Sequence, residues 1–517
     1  MKFVHFCCFT LLLLFGSTNL AAQEINVTWG EVSSVKFYYK EAVLLDNGNY
    51  IMLKNEQNVF AFKWSPKTTL VLLDKSMEVL QEQEIKFDEN KNHVNGIEKY
   101  GKNVFLFYSG YDFNSQITTF FALKLDEKTL EVQAKILLGK LKSNYITDQA
   151  KATYKLSDDS SKIMFFAEKP DHKKENKEFL ISVLDSNLTI IWNQNIELNI
   201  PANQVDIYDM DISNNGKVFV SLKHYDQDVK KESIKEDGEK IPSYSFKMFV
   251  YDERKTKPKE LVFALGNKFI QGSKVVCDNS GEVKIAGLYK AKYNGMITGA
   301  FYTTVKDNDL TMSKPQVIPL PDDLIAMIDN DGFGSTKEKD PGISQFFKIY
   351  HILKRGDGTI DLIAEFFNDI TYYNGKTSYT TFYSGDILDI NIRSDKKIIF
   401  TRIPKMQIYG SGVFEWSYPI VYNDKIILLY NDDKDNVEKD ISEKPDKVRT
   451  FDKSIFMAAI IDPMGNITRR KIYSHVDQEY ITMPVFMAKI TAGKYLISSG
   501  RAKLLSAKKR YGILTVK

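Results

Sequence analysis

A polar turn followed by an apolar strand recurs eight times along this chain of 517 residues. The turns read DNGNYIML from Asp46, YGKNVFLF from Tyr100, SDDSSKIMFF from Ser157, SNNGKVFV from Ser213, DNSGEVKIAG from Asp278, RGDGTIDLIA from Arg355, YNDKIILL from Tyr422 and TAGKYLIS from Thr491. Successive first residues lie 54, 57, 56, 65, 77, 67 and 69 positions apart, the differences of those residue numbers. One sheet of short strands cannot bury both its faces without neighbours. Self-similarity at this period therefore predicts a radial array of sheets, a β-propeller.

A second series falls between the members of the first. Apolar strands run into acidic turns at Asp74, Asp126, Asp185, Asp252, Asp307, Asp395 and Asp462. The order within a unit is strand A, tight turn, strand B, loop, strand C, tight turn, strand D. Asn, Asp and Gly dominate these turns because they tolerate left-handed backbone angles and bond their own main chain. Eight turns of the first kind meet only seven of the second, so the last unit ends on a C strand at residues 511–517. The missing D strand would leave an open edge. The β-rich segment INVTWGEVSSVKFYY, residues 25–39, is expected to fill it and close the ring. The expected fold is all-β, a single propeller over residues 23–517 with eight four-stranded blades closed by the N-terminal strand; seven blades is the alternative.

Residues 1–22 carry Lys2, an apolar run and a small-residue end at Ala21-Ala22, the pattern of a secretory signal peptide. The run is too short to span a bilayer as a helix. Export places the chain in the periplasm, on the outer surface or outside the cell. Cys7 and Cys8 lie within the leader, which leaves Cys277 without an intramolecular disulfide partner. The formal net charge of +3 falls by one when Lys2 is removed. Interspersed Lys and Glu at near-neutral balance leave no electrostatic footprint for nucleic acid.

In a propeller the A–B and C–D turns share one face, and the B–C and D–A connections share the other. Here the first set is tight. The long connections at residues 168–178, 223–243, 320–344, 368–378 and 431–453 all belong to the second set, so function is expected on that face. The charge runs EKPDHKKENKE and DDKDNVEKDISEKPDK read as solvated loop tips. Aromatics in or beside B–C loops include Tyr108, Phe113, Tyr225 and Tyr289. Trp64, Tyr111, Tyr293, Tyr372 and Tyr373 are the candidate binding residues, able to stack on a sugar or anchor a protein. The alternative is that such rings pack beneath the loops.

Two constellations bear on chemistry. Asp209 and Asp211 share one face of an innermost strand, where paired carboxylates are the acid and base of a polysaccharide hydrolase or lyase. A water-filled polar channel is the other reading. The run from Met327 to Glu338 matches a calcium loop at Asp329, Asp331, Gly332 and Glu338, although Met327 stands where the first carboxylate belongs. No cofactor is expected, with calcium the alternative. His93, His172, His224, His351 and His475 are scattered, and no HExxH, CxxC, GxSxG or Gly-rich phosphate loop occurs.

On the eight turns and seven acidic turns, the chain resembles the secreted bacterial β-propellers at superfamily level. The Trp-Asp and Gly-His pairs of WD40 blades and the double glycines of kelch are missing. LDSNLTIIWNQNI around Trp192 resembles the turn-plus-Trp of quinoprotein propellers, but no other blade repeats it. The elaborated, aromatic-bearing loop face and the leader point to an exported non-enzymatic binding or scaffold protein presenting that face to a protein or glycan of the cell envelope. The alternative is the hydrolase or lyase working through Asp209 and Asp211.

Overall fold

The computed structural model describes residues 24–34, 37–56, 67–89, 91–142, 150–171, 175–226, 230–253, 257–335, 341–373, 375, 377–410, 412–501 and 508–517. Residues 1–23 lie outside them. Eight antiparallel sheets form the blades of one β-propeller, and a separate two-stranded hairpin stands apart from them. In order A to D, blade 1 contains Phe37–Leu44, Tyr50–Glu56, Thr68–Leu73 and Val79–Ile85; blade 2, Lys91–Tyr100, Asn103–Asp112, Ile117–Leu125 and Val132–Lys142; blade 3, Lys151–Leu156, Lys162–Glu168, Asn176–Asp185 and Ile190–Pro201. Blade 4 contains Val205–Ile212, Val218–Tyr225, Tyr244–Tyr251 and Lys259–Phe263; blade 5, Phe269–Cys277, Glu282–Lys290, Ile297–Lys306 and Gln316–Pro319. Blade 6 contains Phe347–Lys354, Ile360–Tyr373, Ser378–Ile392 and Ile398–Ile403; blade 7, Ser417–Tyr422, Lys425–Asp432, Ile455–Ile461 and Ile467–Ser474. Blade 8 takes Ala488–Thr491, Lys494–Arg501 and Lys508–Val516 from the end of the chain and Ile25–Ser34 from its beginning.

The middle strands explain why the blades stack. Strand B of blade 3, KIMFFAE, is buried along nearly its whole length, as is strand B of blade 7. Both sheet faces are therefore covered, and the sequence reads as a continuous apolar run rather than an alternation. Outer strands alternate instead, as in VLQEQEI of blade 1. The core divides into eight apolar layers, one between each pair of successive blades, including blades 8 and 1.

The C–D turns contribute to these layers. Asp74 Oδ1 accepts hydrogen bonds from the N–H groups of Ser76 and Glu78, and Asp185 does the same for Asn187 and Thr189. The turn then places Met77 and Leu188 at φ of 70° and 60°, left-handed angles that are rare for such side chains. Each side chain is buried against the preceding blade, and that packing offsets the strain.

Ring closure follows the expected scheme with one change of boundary. Ile25 pairs with Val516, Val27 with Leu514 and Trp29 with Gly512, antiparallel to strand C of blade 8. This strand stops at Ser34, and from Phe37 the chain already forms strand A of blade 1. Residues 25–39 thus serve two blades, not one. Trp29 sits edge-on to Tyr473 of blade 7 at 6.1 Å and beneath the Arg510 guanidinium at 4.0 Å. A Cβ at Gly512 would fall 2.5 Å from the Thr28 carbonyl oxygen, so glycine is required there.

Deleting residues 25–34 exposes the edge of Lys508–Val516 and the apolar layer that Val27 covers. The truncated protein is expected to aggregate and to lose its single cooperative melting transition, measured by calorimetry beside the parent.

Candidate binding site on the loop-rich face

The long connections gather on the B–C and D–A face. Blade 4 adds the hairpin Ser233–Glu236 with Glu239–Pro242, and the chain crosses from blade 5 to blade 6 through the helix Asp322–Asn330. The charge runs there are partly internal. Lys169 and Lys177 are buried, the first paired with Glu175 and Glu178, the second with Glu168 and Asp171. Asp432 and Asn436 of the second run are buried as well, with the Asn436 amide donating to Asp432 at 2.8 Å. Solvated tips account for only the remainder of these runs.

Asp209 and Asp211 brace two blades. The free inner edge of blade 5 strand A donates Val275 N–H to Asp209 Oδ2 at 2.9 Å and Cys277 N–H to Asp211 Oδ2 at 2.7 Å. Two-residue spacing matches on both strands, so alternate carboxylates meet alternate amides. Glu41 of blade 1 does the same for Ile97 N–H of blade 2 at 2.6 Å. Lys155 Nζ lies 3.2 Å from Asp209. Burial pushes the Asp211 carboxyl up to about 6. This geometry assigns one oxygen of each aspartate to the neighbouring backbone.

In the calcium-like run, Asp329 falls within the helix and Asp331 ends it. Asp331 is buried and accepts from Arg402 Nη2, whose Nε donates to Asp386 at 2.8 Å. Glu338 lies outside the described residues. Among those residues, no group of three or more His, Cys, Asp or Glu side chains is placed to hold a metal ion.

The aromatic candidates separate into two groups, with Trp64 outside the described residues. Tyr111 is 3% exposed, edge-on to Phe113 at 5.4 Å. Tyr108, Tyr225 and Tyr289 are likewise buried, and the Tyr225 hydroxyl lies 2.8 Å from a carboxylate oxygen of each of Asp206 and Glu232, with one proton to donate between them. Tyr293 is half-buried between Phe269 and the Lys240 ammonium, 4.7 Å from its ring centre. These rings pack the loops. Tyr372 and Tyr373 differ, at 39% and 76% exposed.

Their exposure follows from an unusually long hairpin. Strands B and C of blade 6 run on past the sheet as a two-stranded ribbon, residues 367–373 paired with 378–384. Gly375, at a φ of 85°, lies in the connection between the two arms, a left-handed backbone that favours glycine. Cross-strand pairing sets Tyr372 opposite Tyr379, and the rings stack at 5.0 Å with 18° between planes. Tyr372 and Tyr383 hydroxyls meet at 3.4 Å, and Ile370 lies on the same face. Tyr379 is 60% exposed. At the base, Phe367 stacks on Trp416 at 4.4 Å and Tyr350 meets that indole edge-on at 4.7 Å.

Sequence reasoning missed Tyr379, Tyr383, Phe367, Phe382 and Trp416. The alternation after the Asn-Gly turn, SYTTFY, was the available signal, since it continues a hairpin rather than a loop.

The ribbon is rooted in buried charge. Lys405 Nζ donates to Glu365, to Ser384 Oγ at 2.6 Å and to Gln407 Oε1 at 3.2 Å, while Ser417 Oγ donates to Glu365 at 2.6 Å. Gln407–Tyr409 pairs with residues 382–384 as a third strand at the ribbon's base. Burial raises Asp386 and Asp432 to about 7. His475 lines a cavity of about 450 Å³ between blades 7 and 8, with Ser454 Oγ at 2.8 Å and Thr482 Oγ1 at 3.2 Å from its two nitrogens. Burial lowers it to about 4, so it is neutral at physiological pH.

No protein-family model matches the chain, and no curated protein does. Among solved structures, the β-propeller domain of the Trilobed protease from Pyrococcus furiosus is similar over 72% of this chain and 96% of its own, at 9% identity and a TM-score of 0.32. The WD40 domain of SCAP from fission yeast is similar over 95% of this chain and 94% of its own, at 7% identity and a TM-score of 0.38. Prolyl oligopeptidase B from Galerina marginata is similar over 93% of this chain but 56% of its own length, at 10% identity and a TM-score of 0.39. These likenesses extend to the fold alone.

Two outcomes test the site's supports. The raised Asp211 carboxyl favours folding below its unfolded value of 3.8 and loses that contribution as pH rises through about 6. Asp211→Asn keeps an acceptor for Cys277 N–H, so it is expected to gain stability over the parent at pH 7 relative to pH 4, by up to about 3 kcal/mol. Denaturant midpoints of both proteins at the two pH values measure this. Lys405→Met strands the buried Glu365 carboxylate and is expected to lower unfolding free energy by about 3–5 kcal/mol, with part recovered in Lys405→Met/Glu365→Gln.

Proposed function

We propose that this is an exported, non-enzymatic binding or scaffold protein that engages a protein or glycan partner of the cell envelope through the ribbon of blade 6. The carrying observation is the stacked and exposed Tyr372–Tyr379 pair on a protruding element with a rigid base. Large aromatic rings held in one geometry lose little conformational freedom on binding, which suits them to anchor a partner. The leader read in residues 1–22 supports a site of action beyond the cytoplasm. No helix among the described residues is long and apolar enough to cross a membrane.

The double substitution Tyr372→Ala/Tyr379→Ala removes the stacked pair without touching the buried base. It is expected to weaken capture of envelope components by immobilised protein roughly tenfold or more, at an unchanged melting temperature. Undiminished capture with a melting temperature several degrees lower would make these rings structural.

A further inference from the structure

Strand B of blade 6 loses its inner neighbour where the ribbon begins. Phe366 lies opposite Phe347, the first residue of strand A, and among the described residues no strand pairs with 368–373 on that side. An antiparallel strand turns alternate N–H and C=O groups away from its partner. Six residues thus offer an open row of main-chain donors and acceptors about 20 Å long. Proteins usually blunt such edges with Lys or Pro. Residues 368–373 read Asn-Asp-Ile-Thr-Tyr-Tyr and contain neither.

The two faces of the ribbon differ. Ile370, Tyr372, Tyr379 and Tyr383 share one face; Asp369, Thr371, Thr380 and Tyr373 share the other, with the two threonine hydroxyls 2.9 Å apart. Asp369 is the only charged side chain among the ribbon's described residues. We propose that residues 368–373 accept an extended segment of a partner polypeptide as an added β-strand. Its apolar or aromatic side chains lie at every second position beside Ile370 and Tyr372, and basic or uncharged ones fall on the Asp369 side. The free main-chain groups select a peptide backbone, the tyrosine face selects the alternation, and Asp369 disfavours acidic residues. A second copy of this chain fits less well. Edge-to-edge pairing over six residues buries far less than the roughly 1,200 Å² of a stable interface.

This inference rests on the binding role of the ribbon, and the test separates the two. A phage-displayed library of random heptapeptides is selected on the folded protein, with the Tyr372→Ala/Tyr379→Ala variant as counter-selection. Selected sequences are expected to alternate apolar with basic or uncharged residues. Synthetic peptides of the best sequence are then N-methylated at alternate residues, in each of the two possible frames, and titrated by fluorescence anisotropy. One frame is expected to lose affinity tenfold or more while the other binds like the parent, because only one set of amides faces the edge. Equal binding by both frames, or selection of no tyrosine-dependent peptide, overturns strand addition. Envelope capture that still depends on Tyr372 and Tyr379 would then leave the binding role intact. A dimer seen by light scattering and dissolved by Tyr372→Ala/Tyr379→Ala would replace the partner polypeptide with a second copy.

Discussion

The pairing of Ile25–Ser34 with Lys508–Val516 is the contact on which the remaining architecture depends. Every blade has middle strands that are apolar on both faces, so none can stand at the end of a row. A linear stack of such sheets would expose a full apolar layer at each end. Closing the circle converts those two faces into the layer between blades 8 and 1, and the N-terminal strand holds it by main-chain hydrogen bonds; among the described residues Cys277 is the only cysteine. Trp29 adds a contact with blade 7, so the closing strand secures both sides of the blade that it completes.

Closure also decides where polar groups go. Inner strands cannot find a strand partner across the channel, so their edge amides need other acceptors. Glu41, Asp209 and Asp211 reach across to the next blade and accept those bonds. On the outer side of blades 6 and 7, Arg402 and Lys405 draw Asp331, Asp386 and Glu365 into buried pairs that tie the crossing helix and the ribbon's base to one sheet. A protruding ribbon on a base of this kind presents its tyrosines in a defined geometry.

The parts of the fold that were legible in the sequence are those governed by local backbone chemistry. Asp74, Asp126, Asp185 and Asp462 announce turns because a carboxylate two residues before an amide closes a ring by itself. The eight-to-seven mismatch announced the closing strand because an unpaired edge is unstable wherever it occurs. The binding residues were only partly legible. Tyr111 and Tyr372 both stand near the end of strand B in their blades, yet one is buried against Phe113 and the other is exposed on the ribbon. Composition around them does not differ enough to tell these outcomes apart. What differs is the length of hairpin beyond the sheet, 367–373 with 378–384 in blade 6. Lys177 shows the same limit, since a charge run reads as solvated until Glu168 and Asp171 are folded around it.

By itself, then, the sequence determined the repeat, the strand order within each blade, the closing strand and the face that carries the long connections. Each depends on residues near one another in the chain, or on counting. The tertiary structure alone decided which aromatics are core and which are surface, and that Asp209 and Asp211 brace backbone rather than face each other across a cleft. It also decided that Asp331 is consumed by Arg402, 71 residues away. Burial and pairing of a side chain are set by segments that arrive from other blades, and no local pattern records which segments those will be.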